Sequence, residues 1–413
     1  MNQQNTAHKP ISPKLRFFIA GVCVIALLAA LVGAYLLLFH DKSDGGRGGA
    51  GDVKIDVSGG LGTGNNGAPP AFGVQFHGTW DAYYKGTTAT PNAMFDKQLD
   101  RLAANRVTLL RVDIGWSTSQ PNPGTPNAKS SYNQRIALVL KEARKRNMQV
   151  MLTIWRTPNW ARPSSGGAAQ FPSDPDTFGQ WATWAAKTYG KSVFAWQIWN
   201  EPNIVEFTGI KEDDQRAVKY VPLLKAGFEG LHEGDPGAKV VFGGPAQNDD
   251  AFIRQCYQLG AKDYFDIMAV HPYEGDQRRP PETPDPGQRY YTTHFAAVAQ
   301  VMAEFGDGQK PVWWTEFGYS VHSNANVPST MSWKYGVETP QISGDYLRRA
   351  FELARTQYPQ VKAIFVYTAY RVGNDPYGHE SGYSLLNADG TAKAQLTILN
   401  QYMAGFDSYR KLY

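Results

Sequence analysis

Two glutamates set the chemical question. Glu201 ends the stretch WQIWNE and is followed by proline, and Glu316 sits in VWWTEFG. Each closes an apolar, aromatic run with polar residues, the pattern of a buried strand reaching the rim of a core. Two carboxyl groups facing each other across a small gap can break an acetal bond. One, kept protonated, gives its proton to the leaving oxygen; the other, kept ionised, meets the positive charge developing at the anomeric carbon. A gap of about 5–5.5 Å allows direct attack and retention of configuration, while about 6.5–9.5 Å admits water and gives inversion. Other chemistries lack their residues. There is no GxSxG elbow, no HExxH and no paired-histidine spacing for a metal. GGLGTG is not followed by the Gly-Lys-Ser or Gly-Lys-Thr of a phosphate loop. No metal and no cofactor are expected.

The elements that must carry these glutamates alternate regularly. Apolar runs suited to strands cover Ala71–Gly78, Thr108–Trp116, Gln149–Thr157 and Ser192–Glu201, then Ala238–Ala246, Asp266–Tyr273, Pro311–Gly318 and Val361–Tyr370. Helical spacing of apolar residues fills the gaps, as in Ser131–Arg146 and Gly344–Thr356. Eight strand-then-helix units predict an α/β fold, a (β/α)8 TIM barrel with parallel strands and enlarged loops. An open doubly wound sheet is the alternative, but no phosphate-binding turn follows the first strand. In such a barrel the site forms at the C-terminal ends of the strands, so Glu201 on the fourth and Glu316 on the seventh would share one mouth.

WNEPN, the later HPY and TEFG together resemble clan A glycoside hydrolases, with the nearest similarity to family 39 and its exopolysaccharide endoglycosidases and β-xylosidases. The resemblance runs from about Phe72 to Met403 and includes GYSLLNADGTAKA before the last helix. It implies a retaining hydrolase with Glu201 as acid/base and Glu316 as nucleophile. It also implies that Asn200 binds the 2-hydroxyl of the reacting sugar, that Tyr273 and Arg111 hold Glu316 ionised, and that His271 borders the same subsite. Tyr367 and Tyr370 stand where many clan members place a tryptophan platform, a departure from the pattern. His77, Trp80 and Asp81 in HGTWD are candidates for the cleft, as is one of Trp155 and Trp160 in WRTPNW. Trp199 and Trp313 read as core, and Trp314 could face either way. The long exits at Asp276–Arg289, Val321–Pro340 and Gly373–Ser381 are candidates for further subsites. Endo action on a polysaccharide, exo action of the β-xylosidase type and a non-hydrolytic carbohydrate-binding scaffold all fit the residues.

Composition agrees with a large core and a sugar partner. Of 413 residues 42% are hydrophobic and 13% aromatic, including 11 Trp and 22 Tyr, whose rings have apolar faces and polar tips. With 41 basic against 37 acidic residues, the net charge of +4 gives no footprint for nucleic acid. The basic run KEARKRN closes a helix, where cations complement the dipole. Residues 17–39 carry no charge and suffice to span a bilayer, with basic residues before them. The expected layout is therefore a cytoplasmic segment 1–16, a signal anchor 17–39, a glycine-rich linker 40–70 and an extracytoplasmic hydrolase domain 71–413. A cleaved signal peptide is the rival reading. Cys23 follows valine and reads as a helix residue, and no pairing with Cys256 is expected.

Overall fold

The computed structural model describes residues 67–163, 167–325, 327–331, 333–371 and 376–406. The expected anchor, Cys23 and nearly all of the linker lie outside the described residues. Among the described residues no helix is long and apolar enough to cross a membrane.

All eight expected strands form, each shorter than its apolar run. They are β1 Ala71–Gln75, β2 Leu109–Gly115, β3 Gln149–Trp155 and β4 Ala195–Ile198, then β5 Val240–Val241, β6 Met268–Val270, β7 Val312–Phe317 and β8 Val361–Val366. They lie parallel in the order β5-β4-β3-β2-β1-β8-β7-β6. Parallel bridges Val241–Ile267 and Ala246–His271 close the cylinder between β5 and β6. Eight principal helices surround it: α1 Ala93–Ala104, α2 Ser131–Lys145, α3 Pro175–Tyr189, α4 Asp213–Gly234, α5 Asp250–Gln258, α6 Phe295–Glu304, α7 Pro340–Gln357 and α8 Ala394–Ala404. Short polar side chains start several of them. Asn92, Ser130, Asp249 and Thr339 each accept a first-turn N–H, and proline opens α3 and α7. α3 and α4 pack backbone to backbone: a Cβ on Gly230 would lie 2.2 Å from the Gly179 carbonyl oxygen.

The barrel interior is layered by strand alternation. Near the bottom, Leu109, Met151, Ala195, Val241, Ala269, Trp313, Ala363 and Phe365 form one apolar cluster. Two residues further along β2, β3, β4 and β7 the inward positions turn polar, to Arg111, Thr153, Gln197 and Thr315, and β1 adds Gln75, all buried. Outward residues such as Val112, Ile154, Ile198 and Trp314 join the larger core under the helices. Trp314 packs there against Phe295 and Phe317. The chain enters β1 at the apolar end, opposite the polar rim.

Candidate active site

The polar layer is organised by one cation. Arg111 on β2 is 1% exposed. Its Nη1 donates to Glu316 Oε1 at 2.5 Å and Gln75 Oε1 at 2.7 Å, its Nη2 to Asn200 Oδ1 at 2.6 Å, and its Nε to Gln197 Oε1 at 2.8 Å. A buried guanidinium needs such a set of acceptors to offset its lost hydration. Tyr273 donates from the other side to Glu316 Oε2 at 3.2 Å. Burial alone would raise the Glu316 carboxyl, but the charge of Arg111 and the bonds from Tyr273 and Arg111 hold it below the usual range. Burial, and then the charge on Glu316, push the Tyr273 hydroxyl well up, so it remains a donor.

Glu201 stands opposite. His271 Nδ1 lies 2.9 Å from its Oε1 and 3.8 Å from Glu316 Oε2. Burial dominates at Glu201 and, with the Glu316 charge, raises its carboxyl despite the His271 contact. One ligand-type atom each from Glu201, His271 and Glu316 all fall within 4.8 Å of one another. Such a trio could hold a cation by spacing, but each member is already hydrogen-bonded within the protein, and the Arg111 charge sits against Glu316. Two carboxyls pushed in opposite directions stand across a short gap, the combination that acid-assisted acetal cleavage requires.

Both glutamates reach the mouth by breaking alternation. Thr315 and Glu316 are neighbours, yet both point inward, because the β7–β8 register shifts between Trp314 and Phe317. After β4, Trp199 (φ 75°) and Glu201 (φ 45°) adopt left-handed backbone, which turns Asn200 and Glu201 into the mouth. Among the described residues, six non-glycine residues have such φ, and Arg156 and Gln247, also at the cleft, are two more of them. Each costs on the order of 1–3 kcal/mol, a strain that concentrates at functional sites.

A cleft of about 1000 Å³ opens above the carboxylates. His77, Trp80, Trp155, Asn200, Tyr273 and Tyr367 line it with Glu201 and Glu316. Trp80 stacks on His77 at 3.9 Å between centroids and is 42% exposed. Burial, then Arg371 and Arg111, lower the His77 ring to about 3. Other expected residues are placed differently. Arg111 and His271 are buried beneath the cleft and touch the carboxylates rather than form its wall. Trp160 turns away, donating to the Gln120 carbonyl at 3.1 Å and packing edge-on against Trp116. Tyr370 packs against the core. Asp81 pairs with Arg135 at 2.5 Å and lines an adjoining pocket of about 640 Å³. Trp199 and Trp313 are core.

The sequence reading missed Asp113, Arg156, Arg371 and Tyr383 on the cleft wall, while Gln277 and Arg279 there belong to the Asp276–Arg289 exit it offered for further subsites. Asp113 was within reach, since it lies two residues past Arg111 on one strand and so shares its face. The others come from loops, where no periodicity operates. The Asp276–Arg289 loop is ordered by ion pairs, Arg279 to Glu274 at 3.1 Å and Arg289 to Asp249. Gln277 donates to the Tyr383 hydroxyl.

A family model described as cellulase, glycosyl hydrolase family 5, matches residues 66–346, more than half of the chain. The chain belongs to glycosyl hydrolase family 5. Clan A membership, read from WNEPN and TEFG, stands, and family 39 is among the relatives of the fold. This family 5 chain superposes on a family 39 glycoside hydrolase from Bacteroides cellulosilyticus with a TM-score of 0.62 at 20% identity, over 82% of this chain and 64% of that one. An exo-β-1,4-mannosidase from an Opitutaceae bacterium gives 0.59 at 15% identity, over 87% and 63%. A family 30 endoxylanase from Clostridium papyrosolvens gives 0.52 at 14%, over 83% and 73%. The chain thus spans less than two thirds of the first two, and at these identities the likeness is one of fold. No curated protein sequence is matched.

Proposed function

We propose that this family 5 chain is a retaining glycosidase that cuts β-linkages within an extracytoplasmic polysaccharide. Glu316 attacks the anomeric carbon while Glu201 protonates the departing oxygen; Glu201 then takes a proton from water, whose oxygen displaces Glu316. The observation that carries the reading is the opposed pair: Glu316 held low beside the buried Arg111, Glu201 raised by burial, with their nearest atoms inside 4.8 Å. That gap is short for an intervening water, which favours retention. Asn200, its carbonyl taken by Arg111, keeps its amide hydrogens for a sugar hydroxyl. His77 Nε2 and Trp155 Nε1, buried on the wall without protein partners, are further groups a sugar would satisfy.

Endo action is supported by the length of the groove. The main cleft and the adjoining pocket share Trp80, Asp113, Trp155 and Arg156, so the space continues past the carboxylates toward the β1–β3 loops. On the other side it runs along the loops after β6 and β7, past Tyr290 and Tyr335. The uncharged run at residues 17–39 supports a membrane tether with the barrel outside the cytoplasm.

The test is a glycan-panel digestion with mass-spectrometric products, run beside Glu201→Gln and Glu316→Gln. Either substitution should remove hydrolysis of unactivated polysaccharide. Proton NMR of the first product should show the β-anomer. An inverted first product would refute double displacement, single-sugar release from chain ends would point to an exo enzyme, and binding without turnover would point to a scaffold.

A further inference from the structure

The carboxylate pair is tied to the barrel interior by side chains whose hydrogen-bond directions are fixed from Arg111 as far as the Thr315 hydroxyl. Arg111 Nε can only donate, so Gln197 Oε1, 2.8 Å away, accepts; Thr153 Oγ1 donates to the same oxygen at 3.0 Å. The amide nitrogen of Gln197 must then face the other way, where it donates to Thr315 Oγ1 at 2.8 Å and to the Phe242 carbonyl at 3.1 Å. Thr315 Oγ1 accepts that bond and has its own hydrogen left for His271 Nε2, 3.1 Å away. In the neutral ring a nitrogen that accepts leaves the hydrogen on the other one. With the Thr315 hydrogen given to Nε2, a neutral ring carries its own on Nδ1, which lies 2.9 Å from Glu201 Oε1. Thr153, Gln197, Thr315 and His271 are fully buried, out of reach of water that could reverse a step. Gly244 seals the run. Its φ is 61°, and a Cβ there would come within 2.5 Å of His271 Nε2, 2.8 Å of Thr315 Oγ1 and 2.9 Å of Gln197 Nε2.

We propose that Gln197 and Thr315 are positioning residues that decide which oxygen of Glu201 carries the proton delivered to the leaving group. By fixing the His271 tautomer they fill Oε1 with a donated hydrogen. A proton on Oε1 would then face another hydrogen, so the acid proton sits on Oε2. In the first half-reaction that proton passes from Oε2 to the glycosidic oxygen as the C–O electron pair leaves with that oxygen. A Glu316 oxygen forms the new bond to carbon, and the vacated Glu201 carboxylate keeps the His271 bond. The charged groups facing His271 are Glu201 and Glu316. The inference rests on the reading of Glu201 as acid/base.

Thr315→Val removes the hydroxyl at nearly constant shape, and Thr315→Ser restores it. Nitrogen–proton NMR of the His271 ring needs no substrate. Wild type and Thr315→Ser should show Nδ1 protonated and Nε2 bare, and Thr315→Val should lose that single tautomer. On aryl β-glycosides of the sugar found in the panel, kcat/KM of Thr315→Val should fall at least about tenfold further for phenyl than for dinitrophenyl leaving groups, because only the former needs the acid. Thr315→Ser should recover most of the difference. A wild-type ring protonated at Nε2, or an equal fall for both leaving groups, would overturn the proposal. A wild type that cleaves no glycoside would sink the glycosidase reading, and the tautomer would still decide the wiring.

Discussion

At the scale of residues, the site separates two chemically identical groups by their neighbours. Glu316 sits low because Arg111 and Tyr273 favour its charge, and Glu201 sits high because burial disfavours its own. The working form has Glu316 ionised and Glu201 protonated. Activity should therefore disappear as pH falls through the depressed Glu316 value and as pH rises through the raised Glu201 value. A kcat/KM profile in which Glu201→Gln keeps the alkaline limb on a dinitrophenyl glycoside would contradict this assignment. Arg111→Met should move the acid limb to higher pH, since Glu316 loses its buried cation. It should also cost roughly 3–5 kcal/mol of stability, read from urea unfolding, because it takes the buried cation from Glu316 and leaves the Gln75 and Asn200 carbonyls unpaired. Glu201 and Glu316 were legible in the sequence because each follows a strand pattern directly. The Gln197–Thr315 contact was not, since two buried polar residues on separate strands carry no mark of who bonds to whom.

At the scale of elements, the strand and helix periods gave the barrel, but the site depends on where those periods fail. Strict alternation would send Thr315 and Glu316 to opposite faces, and only the register shift in β7 brings both inside. The left-handed turns at Trp199 and Glu201 do the same after β4. Neither is visible in residue type, because a glutamate at positive φ looks like any other. The same limit explains Trp160 and Tyr370: loop geometry past the last strand residue, rather than spacing, turned them away. The α3–α4 contact behind β4 offers a test of how far the scaffold supports Glu201. Gly230→Ala would press a methyl onto the Gly179 carbonyl and force the helices apart. A loss of about 1–3 kcal/mol in urea unfolding is expected. Unchanged stability would mean that the two helices can part without strain.

At the scale of the whole molecule, residues 67–406 hold every group the proposed chemistry uses. A fragment beginning at Gly67 should fold and keep full activity on soluble polysaccharide, while the full chain should sediment with membranes. Equal partition of both into the soluble fraction would remove the anchor from the proposal. The open groove predicts that viscosity of a long polymer falls well before reducing ends accumulate, and a proportional rise of both would argue against cuts inside the chain. The entry of the chain at the apolar end of β1, opposite the polar rim, has a practical corollary. A bead coupled at the front of the Gly67 fragment would hold the catalyst mouth-outward, free to receive large polymers. Coupling through the loops at the mouth would shield it and spare only the smallest chromogenic glycosides.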